Sequence, residues 1–201
     1  LVANNEVIYN ATETAYGIYT GYSECEFVNN SVLMNGSGAS RAVYCNNYTQ
    51  GMSMHFFNNN FVCYSKNVYP IYMTGTATVG TDLLMDNNNC WAPQYVGYAG
   101  GARNNLNDWM TYSKDAHALN VEPLFIDRTK SAQCVHYTGL TCPAVSNVPV
   151  DIRDSVRAGS TAVGCYTSTP VDFDAMLAGF SDWQTSVIIG QATPVKVRLM
   201  N

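Results

Sequence analysis

The residues of this chain that could do chemistry are few and scattered. Glu24 and Glu26 alternate along one apolar run, so both carboxylates could face one side of a strand, but an inverting or retaining pair for a glycosidic bond cannot be placed in the sequence. Asp82 is the one acid near the equivalent position of a later run. Asp115 and His117 stand two residues apart and could form an acid/base pair; the competing reading is that they tie a loop to backbone groups. His55, His117 and His136 are not at metal-ligand spacing, and the seven cysteines contain no CxxC pair. No HExxH, P-loop or serine-nucleophile elbow occurs. The sequence therefore calls for no metal and no cofactor. Aromatic side chains are the richer class. Trp91, Tyr95 and Tyr98 cluster, Trp109 and Tyr112 follow closely, and their faces could stack on sugar rings. The bland reading of the tyrosines is that they fill repeated packing positions.

Composition narrows the setting. Charged residues make up 12% of the 201, about half the usual quarter, while 47% are hydrophobic. Such a chain is globular, yet lacks the Glu, Lys and Arg of a helix-rich enzyme. A formal charge of −5 gives no basic footprint for nucleic acid. No apolar run approaches the roughly 18 residues of a membrane span. The chain opens at Leu1 inside what reads as a strand, without initiator methionine or signal peptide, and reads as an internal piece of a longer protein. Cys134 and Cys142 bracket a short loop with a glycine turn, which fits a disulfide. Cys25, Cys45, Cys63 and Cys90 read as small buried hydrophobes.

The elements that would position these groups are written in a repeat. Asparagine pairs recur at Asn4-Asn5, Asn29-Asn30, Asn58-Asn59 and Asn87-Asn88, spaced by 25, 29 and 29 residues. A run centred on Tyr19, Tyr44, Tyr72 or Tyr98 follows each pair, and a third run ("CEF", "MHF", "LLM") closes each of the first three units. Three short strands per unit, repeated in series, predict an all-β chain: a right-handed parallel β-helix of about four coils over residues 1–107. Ile18, Val43 and Ile71 form one candidate inward column. At each corner asparagine tolerates the left-handed conformation, and its amide can bond its equivalent one coil away. Asn29, Asn30, Asn58, Asn59, Asn87 and Asn88 are therefore read as a structural ladder first and a sugar-facing stripe second. Of 21 asparagines, 18 precede residue 108, which ties them to the repeat.

Past residue 107 the texture changes. Asp115, His117, Pro123 and Phe125, then Asp151, Arg157, Gly164 and Tyr166, resemble two segments at the C-terminal end of secreted bacterial right-handed β-helix proteins of the pectate-lyase-like superfamily, common in Bacteroidetes. Ala118, Glu122, Asp154 and Cys165 depart from that pattern. The likeness implies that residues 108–169 cap the helix, with Asp115, His117, Phe125, Asp151 and Arg157 as cap residues. Trp109, Leu124, Phe125 and Ile126 are apt plugs for exposed strand edges. Residues 170–201 resemble the start of an immunoglobulin-like adhesion module, with strands expected over 187–190 and 195–201 and a boundary at Pro170.

The function expected is a non-catalytic, extracellular, adhesin-like segment of a large bacterial surface or secreted protein, with glycan as the candidate partner alongside other domains of the same chain. The rival is the C-terminal part of a carbohydrate-active β-helix enzyme whose active site lies upstream. Residues 1–107 hold six acids and three bases, and the likeness implies paired Asp motifs or clustered carboxylates in such enzymes, which are not found there.

Overall fold

A computed structural model of the chain describes residues 1–21, 23–48, 53–75 and 81–167, together with two strands at 176–181 and 196–200. It divides into two compact units, Leu1–Ser168 and Thr169–Asn201.

The first unit is a parallel β-solenoid. Strands are numbered along the chain. One sheet runs β1 (Val2–Ala3), β4 (Cys25–Val28), β7 (Met54–Phe57), β10 (Leu83–Asp86). A second runs β2 (Glu6–Tyr9), β5 (Ser31–Met34), β8 (Asn60–Cys63), β11 (Asn89–Trp91). A third runs β3 (Tyr16–Gly21), β6 (Arg41–Tyr48), β9 (Ile71–Gly75), β12 (Gly97–Ala99), and ends on β13 (Ala102–Arg103). Three full turns separate β1 from β10, and β11 and β12 carry a fourth most of the way round. The expected inward column is present: Ile18 faces Val43, and Val43 faces Ile71. Phe27 stacks on Phe56 one coil along, with centroids 4.9 Å apart.

The corner between the first and second sheets turns on asparagine. Asn4, Asn29, Asn58 and Asn87 all have φ between 53° and 57°. That left-handed geometry suits asparagine, whose short polar side chain bonds locally. The next residue of each pair points inward and builds the ladder. Asn5 Nδ2 donates to Asn30 Oδ1 (2.8 Å), Asn30 to Asn59 (3.0 Å) and Asn59 to Asn88 (2.9 Å). The second amide hydrogen goes to a carbonyl: Val2 from Asn30, Phe27 from Asn59, Phe56 from Asn88. Each Oδ1 also accepts the backbone N–H of the preceding coil's asparagine, so these buried amides are fully used.

Residues 106–167 do more than close an end. Helix α1 (Leu106–Ser113), capped by Asn105 bonding the Asp108 N–H at 2.9 Å, brings Trp109 onto the last coil, fully buried. A side chain at Gly97 would strike the Trp109 ring, so glycine is required there. The chain then runs back along the outer face of the second sheet as a lateral strap. Leu119 pairs with Asn89 of the fourth coil, Pro123 accepts from Tyr64 of the third, and the carbonyls of Arg128 and Thr129 accept from Asn35 and Asn10 of the second and first. Glu6 then accepts the Ala132 N–H and the Tyr166 hydroxyl. The outward column Ile8, Leu33, Val62 and Trp91 is thereby covered, making a second core with Phe125, Leu140, Val163 and Tyr166. β14 (Thr141–Pro143) pairs antiparallel with β15 (Ser160–Ala162) within the strap. Of the four expected plugs, Trp109 and Phe125 are buried, while Leu124 and Ile126 lie on the outer side of the strap, exposed.

Cys134 and Cys142 are both buried free thiols, so the expected bridge is not formed; all seven cysteines are free. In the second unit β16 (Met176–Ser181) pairs antiparallel with β17 (Lys196–Met200). Pro170 and the strand expected at 187–190 lie outside the described residues.

Candidate functional site

The third sheet places the tyrosines. Tyr19 faces Tyr44, Tyr44 faces Tyr72 and Tyr72 faces Tyr98, each pair one coil apart. They alternate with the inward Val43, Cys45, Ile71 and Met73, and therefore point outward. The column is the ladder the sequence suggests, but on the exterior. Tyr16, Tyr69 and Tyr95 flank it. Tyr16 stacks on Tyr44 at 4.8 Å and Tyr69 on Tyr95 at 4.6 Å, so seven tyrosines form one continuous face.

The geometry along this face is graded. Tyr19 and Tyr44 are tilted by 60°, and Tyr44 and Tyr72 by 49°, leaving parts of the ring faces open. Tyr16 and Tyr19 are 42% and 57% exposed. The Arg41 guanidinium lies over Tyr72, 4.4 Å from its centroid, and takes part in no ion pair among the described residues. A polar line borders the rings: Asn46 donates to the Tyr19 hydroxyl at 2.8 Å, and Thr74 to Asn46 at 3.3 Å. The five strands of the sheet contain two charged residues, Arg41 and Arg103, and no acid. An aromatic platform edged by hydroxyl and amide groups can hold a polar ring by stacking and hydrogen bonds.

Of the aromatic candidates read from the sequence, Tyr95 and Tyr98 belong to this face. Trp91 is half-buried beneath the strap against Tyr64, with centroids 5.2 Å apart. Trp109 is wholly buried, and Tyr112 packs beside the core under Arg103. Trp91 lies under the strap and Trp109 in the core, apart from the column that holds Tyr98. Tyr16, Tyr19, Tyr44, Tyr69 and Tyr72 join Tyr95 and Tyr98 on this face. The in-register repeat of Tyr19, Tyr44, Tyr72 and Tyr98 was visible in the sequence; whether the column faced in or out was not.

The acids and histidines do not converge. Asp115 is fully buried at the end of the asparagine ladder, where it accepts the Asn87 N–H (3.0 Å), the Asn88 N–H (3.3 Å) and the Asn88 amide (3.1 Å). Burial pushes its carboxyl above the ordinary value, against the pull of those donors. His117 is exposed and bonds Asp86 at 2.8 Å; that bond, then the Asp86 charge, raises its pKa. The pair is thus parted into a ladder end and a surface contact. Asp151 accepts N–H groups from Arg153, Ser155 and Thr167, while Arg157 bonds Asn4 and the Gly164 carbonyl, so both hold the strap. On the first sheet's outer face Ser53 Oγ lies 2.8 Å from His55 Nε2, a contact the sequence reading missed. Glu26 is the in-register neighbour of His55 and accepts from the Asn147 amide at 3.3 Å. Among the described residues no group of three or more His, Cys, Asp or Glu side chains could hold a metal ion, and no helix is long and apolar enough to cross a membrane.

Comparisons with protein-family models, curated proteins and solved structures return no match for this chain.

Proposed function

We propose that this chain is a non-catalytic, extracellular adhesin-like segment of a large bacterial surface or secreted protein, and that its solenoid holds the tyrosine face toward a glycan. The observation that carries the reading is the outward column Tyr19, Tyr44, Tyr72 and Tyr98, flanked by three more tyrosines and edged by Asn46 and Thr74. The likeness of residues 109–166 to the ends of pectate-lyase-like β-helices, and of 170–201 to an immunoglobulin-like module, supports an exported, multidomain setting.

The test is a glycan array probed with the intact chain and with a Tyr44→Ala/Tyr72→Ala variant. The reading expects binding to at least one glycan class, lost in the variant while it remains folded. Trp91→Ala should lower stability and leave the folded protein's binding intact. Binding that survives loss of both tyrosines places the ligand elsewhere, and binding to no glycan leaves a scaffold alone.

A further inference from the structure

The tyrosines touch one another as well as facing solvent. Parallel in-register pairing sets like residues roughly 4.8 Å apart, a spacing at which two aromatic rings must stack or tilt. Tyr72 and Tyr98 stack most closely, with centroids 4.3 Å apart and planes 9° from parallel. They are opposite residues of β9 and β12, and both are partly exposed. Burial, then the charge and hydrogen bond of the Tyr98 phenol, raise the pKa of Tyr72, so its hydroxyl stays protonated at neutral pH. With the hydroxyls side by side and the planes parallel, the ring carbons ortho to each oxygen face one another too. The other near-parallel pair of these two coils, Tyr69 and Tyr95, is wider at 4.6 Å and 26°, and the Tyr95 hydroxyl is held by Gln94.

We propose that Tyr72 and Tyr98 form a site of oxidative cross-linking, joined as dityrosine when the protein meets a haem peroxidase and hydrogen peroxide. Each phenol gives one hydrogen atom, an electron and a proton, to the oxidised haem. The two phenoxyl radicals pair their spins at the facing ortho carbons, one C–C bond forms, and the two ortho hydrogens move to the oxygens to restore both phenols. The protein loses two hydrogen atoms, and one peroxide is reduced to two waters. The product ties the third coil to the fourth covalently and restricts the unfolded chain between the two residues. The inference needs no glycan, so it stands or falls apart from the binding reading.

The experiment treats the intact chain, dilute, with a haem peroxidase and limiting peroxide. The monomer fraction is then examined by dityrosine fluorescence and peptide mapping. The expected result is a peptide containing Tyr72 joined to one containing Tyr98, lighter by two hydrogens, and a raised melting temperature. Tyr98→Phe keeps the stack but has no phenol to oxidise; it should lower the monomer's dityrosine signal severalfold at an unchanged initial melting temperature. Tyr112→Phe should leave the signal as it was. Cross-links formed only between molecules, or a monomer dityrosine signal undiminished in Tyr98→Phe, would overturn the proposal.

Discussion

Asn59 shows what a single residue contributes here. It donates to Asn88 and to the Phe27 carbonyl and accepts from both the amide and the N–H of Asn30. Leucine fits the volume but leaves the buried Asn30 N–H without its acceptor and takes one bond each from the Asn30 amide, the Asn88 side-chain oxygen and the Phe27 carbonyl. Asn59→Leu should therefore lose about 1–3 kcal/mol or more in chemical denaturation; an unchanged midpoint contradicts the ladder. Asp115 ends the same column for a chemical reason. Every asparagine passes one amide hydrogen and its backbone N–H to the next coil, and the last must meet an acceptor, which a carboxylate supplies. Asp115→Ala leaves the two buried donors of Asn88 without their shared acceptor and should cost about 1–3 kcal/mol for each, read as a shifted urea midpoint. The alternative acid/base role for Asp115 would have left its burial without purpose.

At the scale of elements, the strap is the part that responds to acid. Asp151 is pushed up by burial and pulled further down by the N–H groups of Thr167, Ser155 and Arg153, so its folded pKa lies below the ordinary 3.8. A lowered carboxylate stabilises the fold above 3.8, and that contribution is lost as pH falls through the lower folded value. Acidification below 3.8 should thus loosen residues 150–167 before the coils, seen as faster hydrogen exchange there. Asp151→Asn should show that loosening already at neutral pH. The strands, their register and the corner asparagines were legible in the sequence because each coil repeats the same pattern. The strap was not, since it has no internal period and meets partners more than 100 residues away. One signal did exist: "VLM" and "FVC" are unbroken apolar runs with no polar residue alternating, all residues of their strands are buried, and only a sheet covered on both faces wants such strands. The tyrosine face was half legible, because register follows from spacing while the direction of a column depends on what fills the interior.

For the whole first unit, ladder and strap have the same consequence. A solenoid whose coils touch only their neighbours frays from its ends. Here the asparagine column joins all four coils from Asn5 to Asp115, and the strap ties the fourth coil back to the second through Asn35 and to the first through Asn10 and Glu6. At neutral pH the coils and the strap should therefore open as one cooperative body. The most direct measurement is native-state hydrogen exchange of the Asn30, Asn59 and Asn88 backbone amides, which donate to side-chain oxygens one coil away. Corner amides of that kind ordinarily exchange fast. The ladder predicts that all three exchange slowly and at one common rate, that of global unfolding. Fast exchange, or a gradient from Asn30 to Asn88, would contradict it.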